Sequence, residues 1–402
     1  MMKIIKDFST KVRTLLSENV IFLMIMVLFL PDYLLYPAVI VAGIFVLYEW
    51  IRYKGFKSSL FWVLWAYLLG VALLNKNMQG VMGTLYLIVL VAYAFVLNRR
   101  MSPKEYMKMQ YYIVWCSLFN FFFNFIRWRP VWYKSFMGLF DGVIQMGHLP
   151  FYGDGYFRAY STFDNPNLYA FILLIVLLVC FNQLQFQITF KNYRLGAFYA
   201  GAFIINLYAM FLTGTRSIIV ALMFGLLTVI LVQKKWTQFK VMILLGALLT
   251  LFILSRPDLF PRFMQIAEHS GIRLEIWDKA IHQILKEPWF GKGMFTYALL
   301  FDNIDAHNIF IESFLSFGIC GTMILVAFLI EKLRDIYLNA YYLDYPLALG
   351  VLVATIMYGI FDIPLFAVQT SLLFVAVFCL PRRQPSQILI PKPTHVEFIE
   401  KT

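Results

Sequence analysis

One of the chain's five histidines, His307, heads a strongly apolar stretch, AHNIFIESFLSFGICG, residues 306–321. Asn308 follows it, and Glu312 lies within the first two turns of a helix starting there. Polar groups at the mouth of a membrane helix are costly and are usually kept for a task. An imidazole titrates near neutrality, which suits removing a proton from a hydroxyl. A hydrogen-bonded helix cap is the competing role. Two arginines occupy related places. Arg216 lies in TGTRS, 213–217, where the chain reverses between two apolar runs, and Arg273 lies in GIRLEIW, 271–277. A guanidinium keeps its charge and grips phosphate oxygens with two bonds. Arg216 begins a helix, so it gains nothing from the helix dipole; the alternatives are a snorkelling anchor for Arg216 and a solvated charge for Arg273.

Other chemistry is missing. The sequence has no paired-Asp motif for a metal-bound nucleotide sugar, no GxxxxGK[ST] loop and no histidine cluster. Gly291 and Gly293 form a GxG that signals only a turn. Cys116, Cys180, Cys320 and Cys379 all fall in apolar runs and form no CxxC, which speaks against disulfides and metal sites. STFDNPNLYA, 161–170, sets Asn165 and Asn167 around Pro166, a pattern that a turn and helix cap explain without function.

The elements that must position these residues are membrane helices. The 402 residues are 61% hydrophobic and only 14% charged, too few charges to cover a soluble domain. Twelve apolar runs, at 19–32, 35–51, 59–75, 79–97, 109–127, 167–189, 196–214, 216–233, 239–255, 307–330, 346–362 and 364–380, read as spans. Pro31 and Pro37 mark the first turn, and the basic start reads as an uncleaved anchor. With both termini cytoplasmic, the inner segments hold 22 of the 34 Lys+Arg, as the positive-inside rule asks. The net charge of +12 is therefore topology and not a nucleic-acid footprint.

The expected fold is all-α: a polytopic membrane protein of about twelve transmembrane helices in a single domain, 1–380, with a disordered cytoplasmic tail, 381–402. One long external loop, 256–306, carries an amphipathic helix over 272–287 that presents Leu274, Trp277, Ile281 and Ile284 to the outer interface.

The ordered set resembles a known family. TGTRS at a span junction, R-x-x-x-W and PWFGKGM in an outer loop, then H-N-x9-G-x-x-G (His307, Asn308, Gly318, Gly321) are similar to the O-antigen ligase and polymerase superfamily of membrane glycosyltransferases. The resemblance covers about 160–330. It implies transfer of a glycan from undecaprenyl diphosphate to an acceptor sugar hydroxyl, on the outer leaflet of a bacterial cytoplasmic membrane, without metal or cofactor. It maps the functional residues onto Arg216, Arg273 and His307. Asn308, Glu312, Asn167, Arg158 and Asp362 are then candidates for contacting substrate, with Glu312 also a candidate to orient His307.

Arg127, Arg129, Lys134 and Arg158, among aromatics, suggest a second glycan-binding surface and tilt the expectation from ligase towards repeat-unit polymerase, working beside a flippase and a chain-length regulator. A transporter or flippase would instead place charges near the bilayer midplane and show internal symmetry, neither of which is seen. A non-enzymatic assembly scaffold is the third reading.

Overall fold

The computed structural model describes residues 22–52, 58–130, 142–146, 151–152, 156–163, 165–255, 266–301, 305–339 and 345–380. Lys134 and the tail, 381–402, lie outside these residues. Residues 22–28 form α1. There follow α2 (Asp32–Arg52), α3 (Ser59–Leu74), α4 (Met78–Arg100), α5 (Pro103–Phe122), α6 (Pro166–Thr189), α7 (Tyr193–Leu212) and α8 (Ser217–Val232). The chain continues through α9 (Trp236–Ser255), α10 (Ile266–Lys286), α11 (Thr296–Phe301), α12 (Ile309–Asn339), α13 (Tyr345–Gly359) and α14 (Val368–Phe378).

Each apolar run contains one of these helices. Five of them, α2, α4, α6, α7 and α12, are long and apolar enough to cross a membrane, while α3, α8, α9, α13 and α14 are apolar but shorter. Length thus supports several crossings and stops short of twelve. The all-α expectation also meets an exception before α6. There β1 (Ile126–Pro130) pairs antiparallel with β2 (Gly142–Met146), and β3 (Phe151–Tyr152) with β4 (Tyr156–Phe157). These short segments are rich in aromatic and β-branched residues, which favour extended backbone.

The hub is α6. Its sequence is apolar on every side, and residues 169–180 are fully buried, as expected of a core helix. It packs against α5, α7, α8, α13 and α14. Asn165 caps it by accepting from Asn167 N at 2.8 Å, with Pro166 in the first turn.

Two further features fix where the site forms. Helices α8 and α13 pack so closely that a Cβ on Gly225 would meet Gly350 O at 3.1 Å and Ala354 Cβ at 3.0 Å. Gly225 faces both Gly350 and Ala354 while Gly350 also faces Val229, so the pair is antiparallel. The start of α8, with Arg216, therefore lies at the same end as the close of α13, with Tyr358 and Asp362.

The second feature is a break in α12 at Gly318, where φ is 61° and ψ −175°. A break inside a membrane helix is tolerated only where the freed backbone groups find partners. PWFGKGM supplies them. Lys292 N and Gly293 N donate to Leu315 O (3.2 Å) and Ser316 O (2.9 Å), and Ile319 N and Cys320 N donate to Pro288 O (2.9 Å) and Trp289 O (3.1 Å). The Tyr67 hydroxyl lies 2.7 Å from both Phe290 O and Phe317 O. A Cβ on Gly318 would run into Trp289 O, and one on Gly291 into Ser316 O. The GxG is therefore half of a backbone lock.

Candidate active site

The Arg216 turn is held from below by Arg158. This buried arginine donates from Nε to Thr213 O (2.7 Å) and from Nη2 to Asn167 Oδ1 (2.9 Å) and Thr215 Oγ1 (3.1 Å). Thr215 Oγ1 in turn donates to Asn167 Oδ1 at 3.0 Å, and Ala159 N donates to Leu212 O at 2.8 Å. Arg158 and Asn167, expected to contact substrate, thus form a clamp on the TGTRS turn. Of the other residues in the expected glycan-binding set, Arg127 and Arg129 fall on β1 and Lys134 lies outside the described residues. Arg216 itself is half-buried at the N-cap of α8, just before Ser217.

The segment 305–308 carries the histidine. Asn308 is the helix cap: its Oδ1 accepts from Phe310 N (2.9 Å) and Ile311 N (3.0 Å), and its Nδ2 donates to Ile360 O (2.9 Å). The bond to Ile360 ties the start of α12 to the turn holding Asp362. With the cap filled by its neighbour, His307 is released from that role. Asp305 Oδ1 accepts from His307 N at 2.7 Å, a turn closed by the aspartate side chain, and His307 takes a positive φ of 49°. The same Oδ1 lies 2.9 Å from His307 Nδ1, an ion-pair distance without hydrogen-bond alignment.

Glu312 was the expected orienting partner of His307, and the structure gives it another place. It is buried and accepts from Tyr297 N (3.3 Å), Ser316 Oγ (3.1 Å) and Ala306 N (3.3 Å). It therefore fastens the backbone beside the histidine to α11.

Arg273 sits on α10, which runs Ile266–Lys286, six residues earlier than the expected start. The packed face is Ile276 and Ala280, with Trp277 and Ile284 half-buried, against Tyr297, Ala306, Ile311 and Leu315. Arg273 shares that face at i, i+3, i+4, i+7 spacing and is half-buried. Leu274 and Ile281, expected on the same side as Trp277, are exposed. The apolar arc is wider than one contact needs, and the protein takes half of it. Trp277 Nε1 donates to Ala306 O at 3.0 Å, so the Arg273 helix is pinned to the residue preceding His307.

The charges meet at this end. Asp305 holds His307 above the ordinary imidazole value, against burial and the nearby Arg273. Burial pushes the Asp362 carboxyl up, reinforced by Asp305 and opposed by His307 and Arg273. Asp362 Oδ1 accepts from Ile363 N (2.8 Å), and Oδ2 lies 3.2 Å from the Tyr358 hydroxyl, which is also 3.1 Å from Asn167 O. A phenol has one proton for these two acceptors. Both contacts are met at once when Asp362 is protonated and donates to Tyr358.

Asp305, His307 and Asp362 put one ligand atom each within 4.8 Å of one another, a grouping that could hold a metal ion. It escaped the sequence reading because Asp305 and Asp362 are distant in the chain. A metal ligand must be deprotonated, and the burial of Asp362 works against that.

Of the sequence-derived candidates, Arg273, His307, Asn308, Glu312 and Asp362 are gathered around one junction, and Asn167 joins it through Tyr358. Arg216 reaches the same end of the bundle on its clamped turn. Asp305, Tyr358 and the Gly291–Gly318 lock were missed. The DAH triplet was the available signal for Asp305, because an aspartate two residues before a backbone N–H closes this kind of turn.

These features define a multi-pass helical membrane protein with a charged site at one end of its bundle. Residues 201–326 match the model of the family described as O-antigen ligase, which supports membership of the O-antigen ligase and polymerase superfamily. The matched stretch includes Arg216, Arg273 and His307, but not Arg158, Asn167 or Asp362. A comparison with curated proteins found no match.

Proposed function

We propose that the chain is a membrane glycosyltransferase that moves a glycan from a polyprenyl diphosphate, of the undecaprenyl type, to an acceptor sugar hydroxyl. The observation that carries this reading is the meeting of Arg273 with His307 and Asp362, at the end of the bundle where Arg216 begins α8. In the reaction, His307 takes the proton of the acceptor hydroxyl. The hydroxyl oxygen attacks the anomeric carbon, the bond from that carbon to the diphosphate oxygen breaks, and the lipid diphosphate leaves with the electron pair. Arg216 and Arg273 stabilise the charge that grows on it, the part a divalent metal plays elsewhere. In the twelve-crossing arrangement with both termini cytoplasmic, this end faces outward, where lipid-linked glycans are used after flipping.

The acceptor we favour is a second lipid-linked repeat unit, making the enzyme a polymerase that works with a flippase and a chain-length regulator. The support is the basic, aromatic segment before α6, which includes Arg127 and Arg129. The ligase reading is favoured instead by the description of the matching family. A transporter is disfavoured because Arg158, Glu312 and Asp362, all buried, lie at or beyond the ends of α6, α12 and α13 and not in the middle of those helices.

Donor binding and transfer, measured separately on purified protein, test the assignment. Arg216→Ala and Arg273→Ala should each abolish transfer, with lysine rescuing poorly because it cannot make the two-bond contact. His307→Asn should keep donor binding and lose transfer. Near-normal transfer by either arginine variant would overturn the reading.

A further inference from the structure

Resting on that reading, we propose that Asp305 is the positioning residue of His307, holding the ring so that its other nitrogen, Nε2, faces the acceptor hydroxyl. Two contacts from one carboxylate oxygen carry this. Oδ1 accepts the His307 backbone N–H at 2.7 Å and lies 2.9 Å from Nδ1. The first contact shapes the turn that gives His307 its positive φ. The second sets the tautomer: with Nδ1 facing an anion, the proton of the neutral ring sits on Nδ1 and the lone pair on Nε2.

The other groups facing the histidine do not compete for this task. Asn308 is engaged with α12 and Ile360, and Glu312 with Ala306, Tyr297 and Ser316. Asp362 is held by Ile363 N and Tyr358, and Arg273 has no lone pair to offer. During transfer the acceptor proton moves to Nε2, and the Asp305 carboxylate faces the imidazolium that forms. It gains no proton itself.

Asp305→Asn separates position from charge, because its side-chain oxygen still accepts the His307 N–H and preserves the turn. The same amide oxygen stays against Nδ1, so the tautomer is kept and what is lost is the anion that faces the imidazolium. The expected result is a fall in kcat on the order of 10²–10⁴-fold, the usual contribution of a general base, with the KM for donor within about threefold. Asp305→Glu, which restores the anion at a longer reach, should recover part of kcat. A merely structural aspartate predicts near-normal kcat for the asparagine variant, and that result would overturn the proposal. So would activity lost to chelator and restored by a divalent cation, which would make the trio a metal site. His307→Asn is measured alongside. If it retains transfer, the base assignment itself fails; if it is inactive while Asp305→Asn is normal, only the role of Asp305 fails.

Discussion

Gly318→Ala should open the lock between PWFGKGM and α12 without removing the protein from the membrane. At φ 61° and ψ −175° the residue occupies backbone space that is almost closed to side chains, a strain of about 1–3 kcal/mol for alanine. The added Cβ also meets the Trp289 carbonyl, so the strands of the lock must separate. Four backbone hydrogen bonds across it are then at risk, those of Lys292, Gly293, Ile319 and Cys320, each worth about 1 kcal/mol net. With two to three of these bonds lost, strain and bonds together put the loss at about 3–6 kcal/mol. That is less than the stability of a typical folded domain, about 5–15 kcal/mol, so local opening is the cheaper response.

Hydrogen exchange of detergent-solubilised protein reads this directly. The amides of Lys292, Gly293, Ile319 and Cys320 should exchange roughly 10²–10⁴-fold faster in the variant, as local opening becomes easier by that energy. Transfer should fall as well, by on the order of 10²-fold for a displacement near 1 Å, because the lock lies between Arg273 and His307 in the chain. Unchanged protection at Lys292 and Gly293, together with normal transfer, would refute the reasoning.

Transfer should persist in EDTA with no added divalent ion, since the arginines meet the leaving diphosphate and Asp362 sits where burial favours its proton; turnover lost on chelation and regained with magnesium would refute this. The pH dependence follows from His307, which faces Asp305, Asp362 and Arg273, with Asp305 the main cause of its raised pKa. The charged form is favoured in the folded protein, so its contribution to stability is full below the ordinary value of about 6.5 and is lost as pH rises through the higher folded value. A base must be neutral, so kcat/KM should climb with pH through a value above about 6.5; an acid limb at or below that value would contradict the pairing.

The helices other than α10 and α11 were legible in the sequence because each rests on a continuous apolar run, a local property. Helix α6 shows the limit of that signal: nothing in FILLIVLLVC says whether its neighbours are lipid or protein, and the protein surrounds it. The two arginines and the histidine were legible through a motif order, and Asn308 was named without its capping role. What could not be read was pairing across distance. Arg158 looked like a loop charge because its partners, Thr213 and Thr215, lie beyond α6 and α7. Glu312 looked like the partner of His307 because a helical turn separates them, but the side chain reaches back to Ala306 and Tyr297. On α10 the apolar face was right in kind and rotated in position, since periodicity cannot divide a broad arc between protein and lipid.

Two carboxylates beside one imidazole would be redundant if their surroundings matched, and they do not. Asp305 is partly exposed, with 24% of its side chain accessible, and it faces the ring. Asp362 is 8% exposed, and burial drives it towards the neutral acid. Environments that separate paired acids also separate their roles. Asp305 faces the ring nitrogen Nδ1 of His307 at 2.9 Å. Asp362 extends a hydrogen-bonded chain through Tyr358 to Asn167, and from Asn167 to Arg158 and Thr213. That chain ends on the turn carrying Arg216, while Trp277 ties the helix of Arg273 to Ala306. Three cationic or basic groups would repel one another into solvent if left on flexible loops. Here each is fastened to the bundle: His307 through Asp305, Arg273 through Trp277, and Arg216 through a turn that Arg158 holds.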